Sequence, residues 1–264
     1  MKVNIKAPIT QIERLKEDIY KFSVQAKEIV ENAKPGHFIE VRVIDNIEPL
    51  LRRPISIYNI DKEKGILEFI FQVKGKGTEI LANRKVGEEL DIIGPLGYGT
   101  FDIKDYKNVA IIGGGIGTFP LYELAKELKR DTSSKVTTYL GFRNKDYVVL
   151  EEEFKKVSDE LLITTDDGTY GTKGFAINEL KKDIEQGKID KIFACGPLPM
   201  LKAVQSLAVE KNIPCQISLE EKMACGLGVC LGCAVKTAKS PSDAPQYWHV
   251  CKAGPVFNAT DVEI

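Results

Sequence analysis

The chain has 264 residues, and its 37 Lys and Arg against 38 Asp and Glu leave a formal charge of −1. That balance excludes the basic field of a nucleic-acid binder and the acidic block of a solvating tail, and it points to small molecules or another protein as partners. No apolar run approaches the roughly 20 residues that span a bilayer, and the opening MKVNIKAPIT lacks the apolar centre of a secretory signal. The expected setting is the cytoplasm, where thiols stay reduced and closely spaced cysteines signal a metal rather than disulfides.

From residue 1 to about 100, HFIEVRVI, PISIYNI, ILEFIFQV and ELDIIGPL read as short strands separated by PG, DKEKG and KVGEE. Regular spacing without a long helical pattern predicts a small antiparallel barrel over residues 1–101. Within it, LLRRPISIYNI sets Arg52 and Arg53 ahead of Pro54, Ile55 and Ser56 on one strand. An arginine grips a phosphate bidentately, and a hydroxyl two or three residues on in an extended chain faces the same ligand. VKGKGTEIL adds Gly75, Gly77 and Thr78 at a predicted helix start, where backbone N–H groups can receive phosphate. On these residues alone, a solvated basic strand followed by an ordinary hairpin fits equally well.

From Asn108 the rhythm changes to apolar runs (NVAIIGGG, KVTTYLGF, ELLITTDDG, KIFACGP) separated by helix-like stretches such as PLYELAKELKR and FAINELKKDI. Alternation of strand and helix predicts a doubly wound parallel sheet over residues 102–214. The loop carrying Gly113, Gly114, Gly115 and Gly117 runs from a strand toward a helix, the setting that receives a pyrophosphate, but the dinucleotide fingerprint is incomplete. Thr118 holds its third position, and the next strand ends in GFRNKD, offering Arg143 and Lys145 before any acid. A second strand ends at Cys195, Gly196 and Pro197. Two such turns at the carboxyl edge of one sheet point to a nicotinamide nucleotide. Following an apolar strand, Cys195 is expected to be a buried, inert thiol.

After Pro214 the pattern gives way to a cysteine-rich segment, predicted as a separate unit over 215–264. Cys225, Cys230, Cys233 and Cys251 spell C-x4-C-x2-C and a fourth cysteine, the spacing of plant-type 2Fe-2S sites. Gly226, Gly228 and Gly232 suit a loop whose backbone must approach the sulfides closely. Structural zinc sites more often pair one C-x2-C with another, and only one such pair is present. Cys215 reads as a small buried side chain, and His37 and His249 as hydrogen-bonded structural residues.

In chain order RRPIS, GKGT, GPLGYG, IIGGGIG, CGPLPMLKA, EEKMACGLGVCLGC and VCKAGPVF resemble the electron-transfer subunit of class 1B dihydroorotate dehydrogenase over essentially the full length. That family lies within the ferredoxin-reductase-like flavoproteins. The resemblance implies FAD on Arg53, Pro54, Ile55, Ser56, Ile70, Phe71, Gln72, Gly77 and Thr78, and NAD on Gly113, Gly114, Gly115, Gly117, Cys195, Gly196 and Pro197. It also implies a 2Fe-2S cluster on Cys225, Cys230, Cys233 and Cys251. Phe71 and Gln72 stand where the family often has tyrosine and arginine, and Ala253 where aspartate is commoner.

Flavin is the chemical link between a two-electron hydride donor and a one-electron cluster, so no side chain of this chain need act as acid or base. The resemblance further implies an FMN-containing catalytic subunit that oxidises dihydroorotate to orotate, a heterotetramer with it, and delivery of the electrons through cluster and FAD to NAD+ in pyrimidine synthesis. Tyr247 and Trp248, in the polar loop 236–250, are candidate contacts with that partner. Two other readings stand beside this one: an FAD/2Fe-2S subunit of a ferredoxin:NAD(P) reductase or hydrogenase-type complex, and a zinc-stabilised, non-enzymatic binding protein. Arg143 and Lys145 leave NADPH open, whereas the resemblance implies NAD.

Overall fold

The computed structural model describes residues 1–44, 48–104, 106–238 and 246–264. Its first six strands are β1 (Val3–Lys16), β2 (Ile19–Gln25), β3 (Phe38–Arg42), β4 (Arg53–Asp61), β5 (Ile66–Gln72) and β6 (Glu89–Leu96). They form a closed antiparallel barrel in the order β1-β2-β5-β4-β3-β6, with β6 returning to β1. Alternation drives the closure: Leu90 and Ile92 of β6, and Leu67 and Phe69 of β5, are fully buried, while Glu89, Asp91 and Glu68 between them are not. Phe22, Phe69 and Phe71 pack at the centre with ring centroids 5.3–6.3 Å apart. Strands β1 and β2 lack so clear a pattern in sequence, because β1 buries only Ala7 and Ile9 and carries charged or polar residues along much of its length.

His37, at the entry to β3, is nine-tenths buried, and its Nδ1 accepts a hydrogen bond from the Lys34 backbone N–H at 3.0 Å. Burial, reinforced by Lys34 and Lys2, pulls its pKa down to about 4. The unfolded chain therefore binds a proton that the folded chain refuses between pH 6.5 and 4. Stability from this residue is complete above the upper value and is lost as pH falls through the lower, a contribution of about 3 kcal/mol. Denaturant midpoints across this range should fall with acidification in the parent and fall less steeply in His37→Gln.

The second unit is a seven-stranded sheet. Its strands are β7 (Asn108–Gly114), β8 (Lys135–Phe142), β9 (Glu160–Thr165), β10 (Thr172–Lys173), β11 (Lys191–Cys195) and β12 (Cys215–Ser218), with β15 (Val256–Asn258) at one edge. The order is β10-β9-β8-β7-β11-β12-β15, parallel except for β15. Helices α3 (Leu121–Asp131) and α4 (Glu151–Val157) cover one face, and α5 (Ala176–Glu185) and α6 (Leu198–Glu210) the other. Successive residues of β7 serve both: Val109 and Ile111 pack with α3 and α4, Ala110 and Ile112 with α5 and α6. A strand buried on both faces reads as the continuous apolar run seen here.

The expected break at residue 215 falls inside this sheet. Cys215 to Ser218 pair parallel with Ile192 to Cys195, and the cysteine-rich segment returns β15 antiparallel to β12. A four-residue strand that includes Gln216 is too short to show as an apolar run. The remaining strands, β13 (Ala234–Thr237), β14 (Tyr247–His249) and β16 (Val262–Glu263), form a small sheet in the order β14-β13-β16. Of the loop 236–250, residues 239–245 lie outside the described residues. Tyr247 and Trp248 are both exposed, and Trp248 also stacks on Phe257 at 5.9 Å.

Two contacts fix the units to one another. On α3, Glu123 is buried, accepts from the Ile60 backbone N–H of β4 at 2.8 Å and pairs with Lys126 at 2.6 Å, while Tyr122 stacks on Tyr58 at 4.7 Å. The GPLGYG turn after β6 clasps the residues following Cys251: Tyr98 N–H donates to Lys252 O and Gly99 N–H to Gly254 O, both at 3.0 Å. A Cβ on Gly99 would stand 2.1 Å from Val256 O, so only glycine permits this backbone-to-backbone seat.

Candidate cofactor and cluster sites

In the sheet order, β8 and β9 lie to one side of β7 and β11 and β12 to the other, so the direction of winding reverses between β7 and β11. Open parallel sheets bind ligands at such a switch point, beyond the carboxyl ends of the strands. Here Gly113 pairs directly with Cys195, which brings the glycine loop and the CGP turn side by side. Their contact is close: a Cβ on Gly117 would lie 2.5 Å from both N and Cα of Gly196. Gly115 takes φ +53 at the loop's apex.

Three cavities run along this edge. One, of about 280 Å³, opens on the barrel and is lined by Arg53, Pro54, Ile55, Ser56, Ile70, Phe71, Gln72 and Thr78, with Phe38 and Met223 among its other walls. The next, of about 420 Å³, is bounded by Gly114, Gly115, Gly117, Gly196, Pro197 and Arg143. These two share Gln72, Lys74, Ile116, Phe119 and Glu220. The third, of about 430 Å³, lies between Gly114, Gly115, Phe175, Pro197 and Met200, with Arg143 and Asp166 at its polar side. Together they form a continuous cleft from the barrel to the far side of the sheet edge.

Most of the expected binding residues meet in this cleft; three sit behind it. Gly77 does not line the first cavity but lies against the Arg53 guanidinium, where a Cβ would approach Arg53 Nε to 2.2 Å. Gly113 and Cys195 are buried beneath the second cavity, and Cys195 packs in the sheet core. Burial drives the Cys195 thiol far above its ordinary pKa. Arg52 is committed elsewhere, donating to the backbone and side-chain oxygens of Asp91 at 2.9 and 2.8 Å, which leaves Arg53 as the guanidinium facing the cavity. Thr78 accepts from the N–H groups of Lys74 and Gly75 at 2.9 and 3.2 Å and donates to Gly75 O at 2.9 Å, so its hydroxyl is committed to the turn. Gln72 donates to Asp18 at 2.7 Å, and Phe71 stacks on Tyr20 at 5.9 Å.

Two acids that sequence reasoning passed over also line the cleft. Asp166 follows β9, one strand beyond the strand end at which a ribose-binding acid is sought; its place in TTDDG is the signal that was available. Glu220, just past β12, stands where the first two cavities meet, and loss of water around its carboxyl raises its pKa against the pull of Lys74.

Cys225, Cys230 and Cys233 lie in a loop without regular structure between β12 and β13, and Cys251 joins them from the turn after β14. Cys225 Sγ accepts from the N–H groups of Leu227, Val229 and Cys230 at 3.3–3.4 Å. Cys251 Sγ accepts from Gly228 N–H at 3.2 Å, and Cys233 Sγ from Cys251 N–H at 3.4 Å. Side-chain contacts join Cys225 to Cys230 and Cys233 to Cys251. The result is two thiol pairs held by this loop and turn; among the described residues no three His, Cys, Asp or Glu side chains converge as ligands of a single ion. Burial opposes ionisation of Cys225, but the N–H groups of Cys230, Leu227 and Val229 outweigh it and bring the thiol down to about 6. Backbone N–H groups aimed at sulfur are the environment an anionic sulfur ligand requires. Gly226 and Gly228, at φ +65 and +79, give the loop its curvature.

Comparison with known proteins divides the chain along the same lines. Residues 6–101 match the oxidoreductase FAD-binding domain, 111–206 the oxidoreductase NAD-binding domain, and 220–263 the iron-sulfur cluster binding domain of dihydroorotate dehydrogenase B. The dihydroorotate dehydrogenase B (NAD(+)) electron transfer subunit of Fusobacterium nucleatum subsp. nucleatum is 41% identical over 255 residues, covering 95% of each chain. Its counterpart in Bacillus cereus (strain Q1) is 40% identical over 248 residues, 93% of each. Among solved structures, a chain of an NADH-dependent reduced ferredoxin-NADP oxidoreductase superposes with a TM-score of 0.86 at 33% identity, covering 98% of this chain and 90% of that one. The ferredoxin reductase of carbazole 1,9a-dioxygenase, at 22% identity and a TM-score of 0.68 over 81% of this chain and 67% of that one, shares the fold. With three domain matches in register and 40% identity over nearly its whole length, the chain belongs to the family of dihydroorotate dehydrogenase B electron transfer subunits.

Proposed function

We propose that this chain carries electrons between the catalytic subunit of a dihydroorotate dehydrogenase and NAD+, through a 2Fe-2S cluster and FAD. The observation that carries the reading is the arrangement of the four cysteines as two pairs, three on an N–H-rich loop and the fourth on the turn after β14, beside a barrel cavity that opens into the sheet-edge cleft. A mononuclear zinc site draws four sulfurs to within about 2.3 Å of one point, whereas a two-iron cluster takes two thiolates on each iron. The pairing of Cys225 with Cys230 and Cys233 with Cys251 fits the second. Four intact cysteines, together with 40–41% identity to the dihydroorotate dehydrogenase B subunits against 33% to the ferredoxin-NADP oxidoreductase chain, favour this reading over the ferredoxin:NAD(P) reductase or hydrogenase-type one.

When bound, FAD exchanges hydride with nicotinamide and single electrons with the cluster. The chain's own residues bind and orient. Arg53 turns a guanidinium toward phosphate in the barrel cavity, and Phe38, Ile55 and Phe71 supply apolar walls for a flat ring. Gly114, Gly115 and Gly117 let backbone approach a pyrophosphate, while Gly196 and Pro197 close the opposite wall. Glu220 marks the junction where nicotinamide and flavin would meet. The partner is an FMN-containing subunit that oxidises dihydroorotate, joined with this chain as a heterotetramer, and the exposed Leu227, Val229 and Leu231 of the cysteine loop put the cluster at a surface available to it. No helix is long and apolar enough to cross a membrane among the described residues, in keeping with action in the cytoplasm.

Asp166, beside Arg143 in the third cavity, supports a preference for NADH. A 2′-phosphate entering beside Arg143 would also bring its negative charge against the Asp166 carboxylate, and a like-charge cost of about 1.4 kcal/mol is tenfold in affinity. Asp166→Ser should therefore raise the ratio of NADPH to NADH use by about tenfold in steady-state kinetics; an unchanged ratio would place the ribose elsewhere. The overall reading is tested by composition: the purified chain should contain iron and acid-labile sulfide in equal amounts with one FAD. Zinc without flavin would end the redox assignment.

A further inference from the structure

Glu40, in the middle of β3, is 1% exposed, yet among the described residues neither carboxylate oxygen has a hydrogen-bond partner. Unpartnered buried oxygens are destabilising, and a leucine of similar size would fill the same space without that penalty. Packing alone therefore does not account for a carboxyl here, and such a group calls for an explanation in function.

Its surroundings supply one. Glu40 pairs with Pro54 of the neighbouring strand β4, and Phe38 lies two residues earlier on its own strand; both line the barrel cavity assigned to FAD. On its other side the carboxyl meets the cysteine loop: a Cβ on Gly226 would stand 2.6 Å from Glu40 Cγ and 2.7 Å from Oε1. Gly226 immediately follows Cys225. The side chain thus fills the wall between the flavin cavity and the first thiol pair.

We propose that Glu40 is a positioning residue for electron exchange, inserted from the barrel under Gly226 so that it fixes the Cys225–Cys230 loop relative to the flavin cavity. The proposal rests on the relay reading and adds the element that sets the gap. Arg52, which would otherwise claim the carboxyl, is held by Asp91 at 2.8 Å.

The test uses the complete heteromeric enzyme with Glu40→Leu and Glu40→Gln. NADH is mixed anaerobically with each, and flavin bleaching, cluster bleaching and the electron paramagnetic resonance line shape of the reduced cluster are recorded. Glu40→Leu should reduce flavin at the parental rate, show an altered line shape, and slow cluster reduction by about tenfold or more, the scale of a misplacement of under 1 Å. Glu40→Gln, which keeps the shape and hydrogen-bonding capacity, should stay within about twofold of the parent. Loss of the cluster in Glu40→Leu with retention in Glu40→Gln would support the same role. A parental line shape and transfer rate in Glu40→Leu would overturn it, even with a lowered melting temperature, and so would equal defects in both variants. Failure of the parent itself to reduce its cluster with NADH would instead fault the relay reading.

Discussion

Cys230→Ser should stop electron delivery to the catalytic partner while FAD stays bound and is reduced by NADH at the parental rate. Cys230 belongs to the pair with Cys225, and it is the exposed member of the four cysteines. A serine hydroxyl is a far weaker ligand to iron than a thiolate, so the 2Fe-2S cluster should be lost or reduced to traces. The flavin and nicotinamide cavities are built from the barrel and the sheet edge and contain none of the four cysteines. Iron should therefore fall to background, and NAD+-dependent oxidation of dihydroorotate in the reconstituted complex should fall by at least about 100-fold. Electron transfer to the partner at an undiminished rate in a variant shown to lack iron would break the proposed order of carriers.

Gly117→Val should have the opposite signature. The Cβ would meet N and Cα of Gly196 at 2.5 Å and the carbonyl carbon of Cys195 at 2.7 Å, all backbone atoms that cannot swing aside as a side-chain tip would. The glycine loop and the CGP turn must separate, and both walls of the nicotinamide cavity move. A misplacement of about 1 Å at such a site costs up to 100-fold, so NADH-driven flavin reduction should fall by that order. Iron and FAD content should remain parental, and dithionite should still bleach both chromophores. Normal reduction by NADH would mean that the nucleotide does not use the contact between the two turns.

What the sequence disclosed and what it hid divide by the range of the interactions. Strands β3 to β6 and β7 to β9 carry apolar runs or alternation strong enough to read directly, and the glycine and CGP turns announce themselves by residue type. Strand β1 is masked by its polar outer face, and β12 by its four-residue length. Residue spacing singled out four candidate sulfur ligands, but their division into two pairs arises from a loop that folds back on Cys251, 18 residues beyond Cys233. Arg52 and Arg53 look equivalent in the chain; only the register that sets Asp91 within 2.8 Å of Arg52 tells them apart. Glu40 and Glu220 were silent for the same reason. Each stands among neighbours in sequence that give no sign of a site, and its role comes from residues far away along the chain. The GPLGYG and AGPVF segments were visible as motifs, yet their meaning, a backbone clasp between the barrel and the turn after Cys251, needed the Gly99 contact with Val256.

The most direct test of the account is an anaerobic titration of the purified chain with NADH, followed in the visible spectrum. The account predicts bleaching of a flavin band together with a broader iron-sulfur band, ending when NADH has supplied the electrons that one FAD and one 2Fe-2S cluster accept. Both chromophores present but unmoved by NADH would contradict it, since the sheet-edge cleft could then not be the entry point for nicotinamide and the contact of Gly117 with Gly196 would serve the fold alone.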